Sequence, residues 1–319
     1  QIIRRLRILA AAQRLPHALI FCGMEGIGKR RTARVLARTL LCAEAGDHPC
    51  GHCASCRTMA VGVHPDYFET APEARGKRAA MIRTEAVRDI LVAASGTPVQ
   101  SSRRIILIDG ADCMNETAAN RLLKTIEEPT GEVLFLLVTS AYDAVLPTIR
   151  SRAVCIAFGA LPRAEIAAVL TERGAENAEA IAALSGGSLG RAYALAAEGL
   201  ALRDEALTLL LRLRTIDIED IWACAEALGA RTHAERTAWI GFLQMALRDL
   251  LLLSEDGASD ALCHIDRRTE LAALCAKMTH ADIFALMEET RRLAQRFAAN
   301  VNPALQIEAF LLRARKPFV

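Results

Sequence analysis

The sequence predicts a parallel α/β domain followed by an all-α region. Short aliphatic or β-branched runs alternate with helical patterns through the first half of the chain, a glycine-rich turn separates the first run from the first long helix, and strand patterns stop after Phe158. Alternation of this kind is what crossover helices between parallel strands produce. With 52% hydrophobic and 24% charged residues among 319, the chain has enough apolar surface for sizeable cores, and its length favours two or three domains.

The elements follow in order. Strands are expected at Ala18 to Cys22, Tyr67 to Glu69, Arg104 to Asp109, Val133 to Val138 and Val154 to Phe158. Between them, Lys29 to Leu41, Thr84 to Ala94 and Glu116 to Ile126 carry apolar residues at helical spacing. Residues 1–159 therefore form one α/β domain. "GALPRAEIAAVL" opens a helix with Pro162 near its first position, and Gly186 with Gly187 interrupts the next helical stretch, which defines a small helical domain at 160–202. From 203 to 319 the pattern is helical throughout, with Ile283, Leu286, Met287, Leu293 and Phe297 on one stripe that reads as core.

Composition narrows the function. A net charge of +2 is too small for a chain whose own affinity comes from neutralising nucleic-acid phosphates. No apolar run reaches membrane-spanning length and no secretory leader is recognisable, so the expectation is a cytoplasmic protein without a membrane segment; the missing initiator Met suggests that a few residues precede Gln1.

The stretch "GMEGIGKRRTARVLARTLLC" places Gly23, Gly26, Gly28 and Lys29 as a phosphate-binding loop between strand and helix. Glycines let backbone approach phosphate oxygens, and the helix N-terminus adds partial positive charge to that of Lys29. Arg30, however, stands where a Ser or Thr hydroxyl holds magnesium, and Thr32 is about 200° further round the helix. In "RIILIDGAD", Asp109 stands where the magnesium-linked aspartate belongs, but Gly110 follows where ATPases of this kind carry a water-activating glutamate. Asp112 reads as an exposed acid at the strand-to-helix turn. Two missing parts argue against intrinsic hydrolysis. They leave open whether the pocket holds ATP, ADP or nothing.

Cys42, Cys50, Cys53 and Cys56 are separated by seven, two and two residues. Such gaps let four thiolates face one ion, the donor set of a closed structural zinc site; the further CxxxCP of a bacterial ferredoxin run is absent. His48 and His52 lie near enough to serve as alternative ligands. The other six cysteines are scattered and read mostly as small core residues.

The phosphate loop, the cysteine module inserted after its helix, "GVHPDYFETAP", "NRLLKTIEEP" and "TIRSRAVCIAF" occur in one order. In this the sequence resembles the AAA+ subunits of the bacterial DNA polymerase III clamp loader, most densely over residues 14 to 200. The resemblance implies an AAA+ P-loop module at 1–159 with a zinc module at 42–56, a helical lid at 160–202 and a collar at 203–319 through which five subunits join into a ring. It implies partners as well: gamma/tau motor subunits, a delta subunit, and the sliding clamp and primed DNA through the assembled complex. Arg30 and Gly110 favour a non-hydrolysing subunit of the polymerase holoenzyme over an ATP-hydrolysing gamma/tau motor. In the family, the arginine of the Ser-Arg-Cys motif looks across the subunit boundary at the neighbour's ATP; here that motif is Ser151, Arg152 and Ala153, so Arg152 is the expected finger. Pairing with Glu127 or Glu128 is the alternative for this side chain. Thr139 is similar to the sensor at the end of the fourth strand, and Arg191 to the lid arginine that reads bound nucleotide.

Overall fold

In the computed structural model the residues described are 2–12, 14–44, 46, 48–73, 81–129, 131–257, 259–297 and 302–315. Strands β1 (Ala18–Cys22), β2 (Tyr67–Thr70), β3 (Arg104–Asp109), β4 (Val133–Thr139) and β5 (Val154–Ala157) form a parallel sheet in the order β2-β3-β4-β1-β5. β1 and β4 are buried along their whole length, and β3 up to Asp109, because helices cover both faces. Their alternate residues part to opposite sides. Ile20, Ile106, Ile108, Phe135 and Leu137 join the core that includes Val87, Ile90, Leu122 and Ile126. Leu19, Phe21, Ile105, Leu107 and Leu136 join Leu6, Ala33, Leu36, Ala37 and Leu41.

The helices of this part are α1 (Ile2–Ala11), α2 (Lys29–Leu41), α3 (Ala54–Ala60), α4 (Thr84–Ser95), α5 (Glu116–Glu127) and the single turn α6 (Pro147–Arg150). α2, α4 and α5 match the sequence expectation to within a residue; α1 and α3 lay outside it. The chain divides into two compact units, Gln1–Leu161 and Pro162–Val319.

The second unit holds α7 (Arg163–Glu172), α8 (Ala178–Leu184), α9 (Leu189–Glu198), α10 (Ala201–Arg212), α11 (Ile218–Gly229), α12 (His233–Glu255), α13 (Arg268–Cys275), α14 (His280–Phe297) and α15 (Pro303–Ala314). Gly186 and Gly187, at φ +61° and +87°, make the left-handed break between α8 and α9 that a side chain would resist. A reciprocal capping box between Thr232 and Glu235 starts α12, which buries Trp239, Leu243, Leu247 and Leu250. In α14, Ile283, Leu286 and Leu293 are buried as their spacing predicts. Two buried polar anchors tie loops to this unit: Arg203 bonds both oxygens of Asp266 at 2.8 Å, and Asp249 accepts the backbone N–H groups of Cys263 and His264.

A third anchor fastens the cysteine module to the sheet. His64 is 4% exposed; its Nδ1 accepts the Asp66 N–H at 3.0 Å, so Nε2 carries the proton and donates to Ser55 Oγ at 2.8 Å. Ser55 in turn donates to the carbonyl of Leu41 at the end of α2. Asp66, wholly buried, accepts the N–H groups of Val99, Gln100 and Ser101; burial opposes its charge, but these three bonds hold its carboxyl below the ordinary range. Burial also lowers the His64 pKa, keeping the ring neutral as its bonds require. The unfolded chain takes up a proton near pH 6.5 while the folded one resists it, so this contribution is present above about pH 6.5 and is lost as pH falls toward the lowered folded value, with a slope of at most about 1.4 kcal/mol per pH unit. Urea midpoints in zinc-containing buffer should therefore fall from pH 7.5 to 5.5 in the wild type. His64→Gln should be less stable at the upper pH and show a shallower fall.

Candidate functional site

The loop after β1 is shaped by its neighbours. Gly23 has φ +139°, and a Cβ there would lie 2.4 Å from the Phe158 carbonyl oxygen, so this glycine is required by the chain leaving β5 as much as by any ligand. Gly26 and Gly28 are also left-handed, at +74° and +94°, and Gly28 leads directly into α2. They line, with Lys29, Arg30, Asp109, Asp112 and Thr139, a cleft of about 420 Å³ at the C-terminal ends of the strands. Five expected nucleotide-site residues, Gly26, Gly28, Lys29, Asp109 and Thr139, are thus brought together. Gly23 packs behind them, and Arg191 belongs to the second compact unit, where its guanidinium lies 3.7 Å from Met245 Sδ.

The side chains of Lys29, Arg30, Asp109, Asp112 and Thr139 in this cleft each have a partner within the chain. Lys29, 6% exposed, donates from Nζ to the carbonyls of Gly23 at 2.7 Å and Met24 at 2.6 Å, and burial lowers its pKa. Arg30 reaches Asp109 Oδ2 at 3.2 Å and Glu69 Oε1 at 2.7 Å, filling the position between the acids with a guanidinium. Burial raises the Asp109 pKa, with Arg30 opposing it. Glu69 also accepts from Arg34, at 2.7 Å from Nη2, and from the Tyr67 hydroxyl at 2.7 Å. Burial works against its charge, yet the bonds from Arg34, Tyr67 and Arg30 keep its carboxyl low. Thr139 Oγ1 donates to Asp112 Oδ1 at 2.6 Å. Asp112 is accordingly half-buried and partnered, which corrects the expectation of an exposed acid.

Gly110 is held open by more than composition. Its φ is +77°, and a Cβ would lie 2.6 Å from Pro72 Cγ. A glutamate at this position would carry both left-handed strain, of order 1 kcal/mol or more, and a clash with the proline ring. Magnesium does not fit this donor set: no hydroxyl stands at position 30, and Asp109 faces a cation of the chain's own.

The cysteine cluster is a different case. The Sγ atoms of Cys42, Cys50, Cys53 and Cys56 all lie within 4.8 Å of one another. Separations of 3.9 Å for Cys42–Cys53, 3.9 Å for Cys50–Cys56 and 3.7 Å for Cys42–Cys56 approach the edge of about 3.8 Å expected for a tetrahedron with 2.3 Å zinc–sulfur bonds. Cys53 caps α3 through its sulfur, accepting the Cys56 N–H at 3.3 Å. That bond, with one from Ala43, pulls the Cys53 thiol down to about 6, whereas burial pushes Cys56 up to about 12. The four sulfurs suit one metal ion, which would deprotonate them all. His52 pairs with Glu44 at 3.4 Å, and the two lie with Cys50 Sγ in a second group whose donor atoms are all within 4.8 Å of one another, so His52 stays beside the sulfur set as an alternative ligand.

Of the scattered cysteines only Cys22 is buried; Cys155 is exposed and Cys113, Cys224, Cys263 and Cys275 are half-buried, so the expectation that most are core residues is not met. Cys22 and Cys155 sulfurs lie 2.9 Å apart across β1 and β5. Arg152, just before β5, folds back on its own unit: it pairs with Glu127 and donates to the Thr148 carbonyl at 3.0 Å. Sequence reasoning missed Arg34, Glu69, Tyr67 and Pro72. The i, i+4 spacing of Arg30 and Arg34 was the available signal for one half of the acid-binding pair.

Fold and site together define a P-loop α/β protein whose cleft at the strand ends is lined by side chains already paired with one another. The family model described as "DNA polymerase III, delta subunit" matches residues 1–162. DNA polymerase III subunit delta' of Pseudomonas aeruginosa is 33% identical over 307 residues, which are 93% of this chain and 91% of that protein. The subunit delta' of Escherichia coli K12 is 36% identical over 137 residues, 43% of this chain and 40% of that protein. A gamma/tau subunit of Mycobacterium tuberculosis is 30% identical over 273 residues, 84% of this chain but 42% of that protein. Among solved structures, a gamma subunit-related protein from Thermotoga maritima matches over the whole of both chains with TM-score 0.52 at 17% identity, a likeness of fold. The chain belongs to the DNA polymerase III delta-prime family.

If Arg30 takes the metal's place, Arg30→Ser should reverse the response to magnesium. The variant should lose about 1 kcal/mol of stability, because Asp109 and Glu69 keep their charge with one partner fewer. Magnesium should then raise its unfolding temperature while leaving the wild type unmoved, read by thermal scanning with and without the ion.

Proposed function

We propose that the chain is a non-hydrolysing delta-prime-type subunit of the DNA polymerase III clamp loader, which helps to load the sliding clamp on primed DNA. The observation that carries this is Arg30 bridged to Asp109 and Glu69 beside a Gly110 that Pro72 bars from bearing a side chain. A gamma/tau-type motor needs the metal and the water-activating acid, and neither has room here. Membership of the delta-prime family supports the same choice.

On this reading residues 160–202 act as the lid and 203–319 as the collar that joins a five-subunit ring with gamma/tau and delta. Arg152 serves as an arginine finger in trans. Its fork would leave Glu127 and stabilise charge on the phosphoryl group transferred in the neighbouring subunit, a role worth about 10³ to 10⁵ in rate. Gly23, Gly26, Gly28, Lys29, Asp109, Thr139 and Arg191 retain the outline of a nucleotide site without its magnesium chemistry. Cys42, Cys50, Cys53 and Cys56 would hold a structural zinc ion that cross-links the end of α2 to the start of α3.

The purified chain should show no magnesium-dependent ATP hydrolysis. In the reconstituted loader, Arg152→Ala should slow DNA-stimulated hydrolysis at the adjacent motor site by about 10³-fold or more, with assembly intact by gel filtration; an unchanged rate would remove the finger from this residue. Elemental analysis should give one zinc per chain, and Cys42→Ser should lose it and unfold at lower temperature. Iron in place of zinc would reject the assignment.

A further inference from the structure

Away from the cleft, α1 and α2 leave an open groove of about 230 Å³ between them. Its two helical walls follow helical spacing, with Ile3 and Leu6 from α1 and Arg31, Val35 and Leu36 from α2, and Gly46 and His48 of the segment after α2 close one side. Leu6 and Leu36 form a buried floor, whereas Ile3 and Val35 are 55% and 48% exposed. Ile3 and Val35 thus flank an apolar floor that Leu6 and Leu36 share with the core beneath, and together they offer a partner apolar area to cover.

Charge indicates what covers it. Residues 1–60 contain ten Lys and Arg against three Asp and Glu, while the whole chain has a surplus of only two, so the remainder is net acidic. Arg4, Arg5, Arg7 and Arg31 are exposed on the two helices that form the groove. Glu69 offsets Arg30 and Arg34, but no ion pair engages Arg4, Arg5 or Arg31 among the described residues. The groove is therefore apolar within and cationic at its rim. A nucleic acid would satisfy the rim alone, for the lining contains no Phe, Tyr or Trp on which a base could stack. An amphipathic helix with an acidic outer face satisfies both: its apolar side chains cover Ile3 and Val35 while its carboxylates meet Arg31.

We infer that the α1–α2 groove docks an acidic amphipathic segment of a partner protein. The inference stands apart from the clamp-loader reading, since its test uses the chain alone and no ATP hydrolysis. The probe is a fluorescein-labelled helical peptide of about 16 residues, with Leu at i, i+3, i+4 and i+7 and Glu at most other positions, followed by fluorescence anisotropy. A counterpart with Lys for Glu and a labelled single-stranded oligonucleotide serve as comparisons. The acidic peptide should bind saturably, more weakly as salt rises, and at least tenfold more tightly than the Lys peptide. Val35→Glu, at an exposed position, should weaken it at least tenfold with the circular dichroism and unfolding temperature unchanged; Arg31→Ala should weaken it and flatten the salt dependence. Absence of binding, equal binding of both peptides, or binding indifferent to Val35→Glu would overturn the proposal. Oligonucleotide binding that Val35→Glu leaves intact while the acidic peptide fails would reassign the basic surface to nucleic acid.

Discussion

The guanidinium of Arg30 sits between Asp109 at the end of β3 and Glu69 on the edge strand β2, and the geometry of the whole cleft depends on that placement. Without a cation, two carboxylates facing one another across the strand ends would repel, and burial already disfavours the charge on Asp109. A metal answers that problem only while bound. A side chain fixed at the start of α2 answers it permanently, and Arg is better suited than Lys because its planar fork addresses two acids at once. Arg34, one turn on, adds a second fork to Glu69, so the first two turns of α2 are fastened to β2.

The cysteine module is joined to the same helix at its other end. Cys42 follows α2 directly, and Ser55 and Ser101 both donate to the Leu41 carbonyl, an acceptor freed by the end of the helix. His64 links Ser55 to Asp66, and Asp66 gathers the backbone that leads into β3. α2 is thus held at its start by ion pairs and at its end by a sulfur cluster and a hydrogen-bonded hub. Its buried face of Ala33, Leu36, Ala37 and Leu41 fixes its distance from the sheet. The small alanines permit close approach. A helix so restrained presents a constant surface, which suits a subunit proposed not to hydrolyse nucleotide itself.

Much of this was legible in the sequence, for reasons that differ by element. β1, β3 and β4 are continuous apolar runs that only a strand covered on both faces tolerates, and their bounds fell within a residue. The four-cysteine site was legible because metal geometry demands short fixed spacings. α1 escaped because it buries Leu6 alone and carries three exposed arginines; α3 escaped because its start is set by a sulfur cap. The missing pieces of the cleft were visible as Arg30 and Gly110, but their meaning was not. Glu69 is 39 residues from Arg30, and Pro72 is 38 from Gly110, so neither partner could be read from local pattern. Arg152 shows the same limit: the sequence allows a finger or a pairing with Glu127 or Glu128, and in the fold the side chain pairs with Glu127.

Self-occupancy also sets what a ligand would have to overcome. Lys29 keeps one of its three donors beyond the bonds to the carbonyls of Gly23 and Met24, so a polyphosphate that takes more than that one donor displaces those carbonyls, and the acceptors must be satisfied again elsewhere. At a net worth of about 0.5–1.5 kcal/mol each, the two bonds set a cost of about 1–3 kcal/mol, or roughly one to two orders of magnitude in affinity. In an ordinary P-loop site, metal coordination and the hydroxyl contact more than offset such a cost. Here Arg30 occupies the acids that would hold the metal, so the offset is absent and the phosphate must bind through loop amides and Lys29 alone. An arginine at position 30, paired with both acids, therefore works against a metal ion and against the phosphate that would bring it.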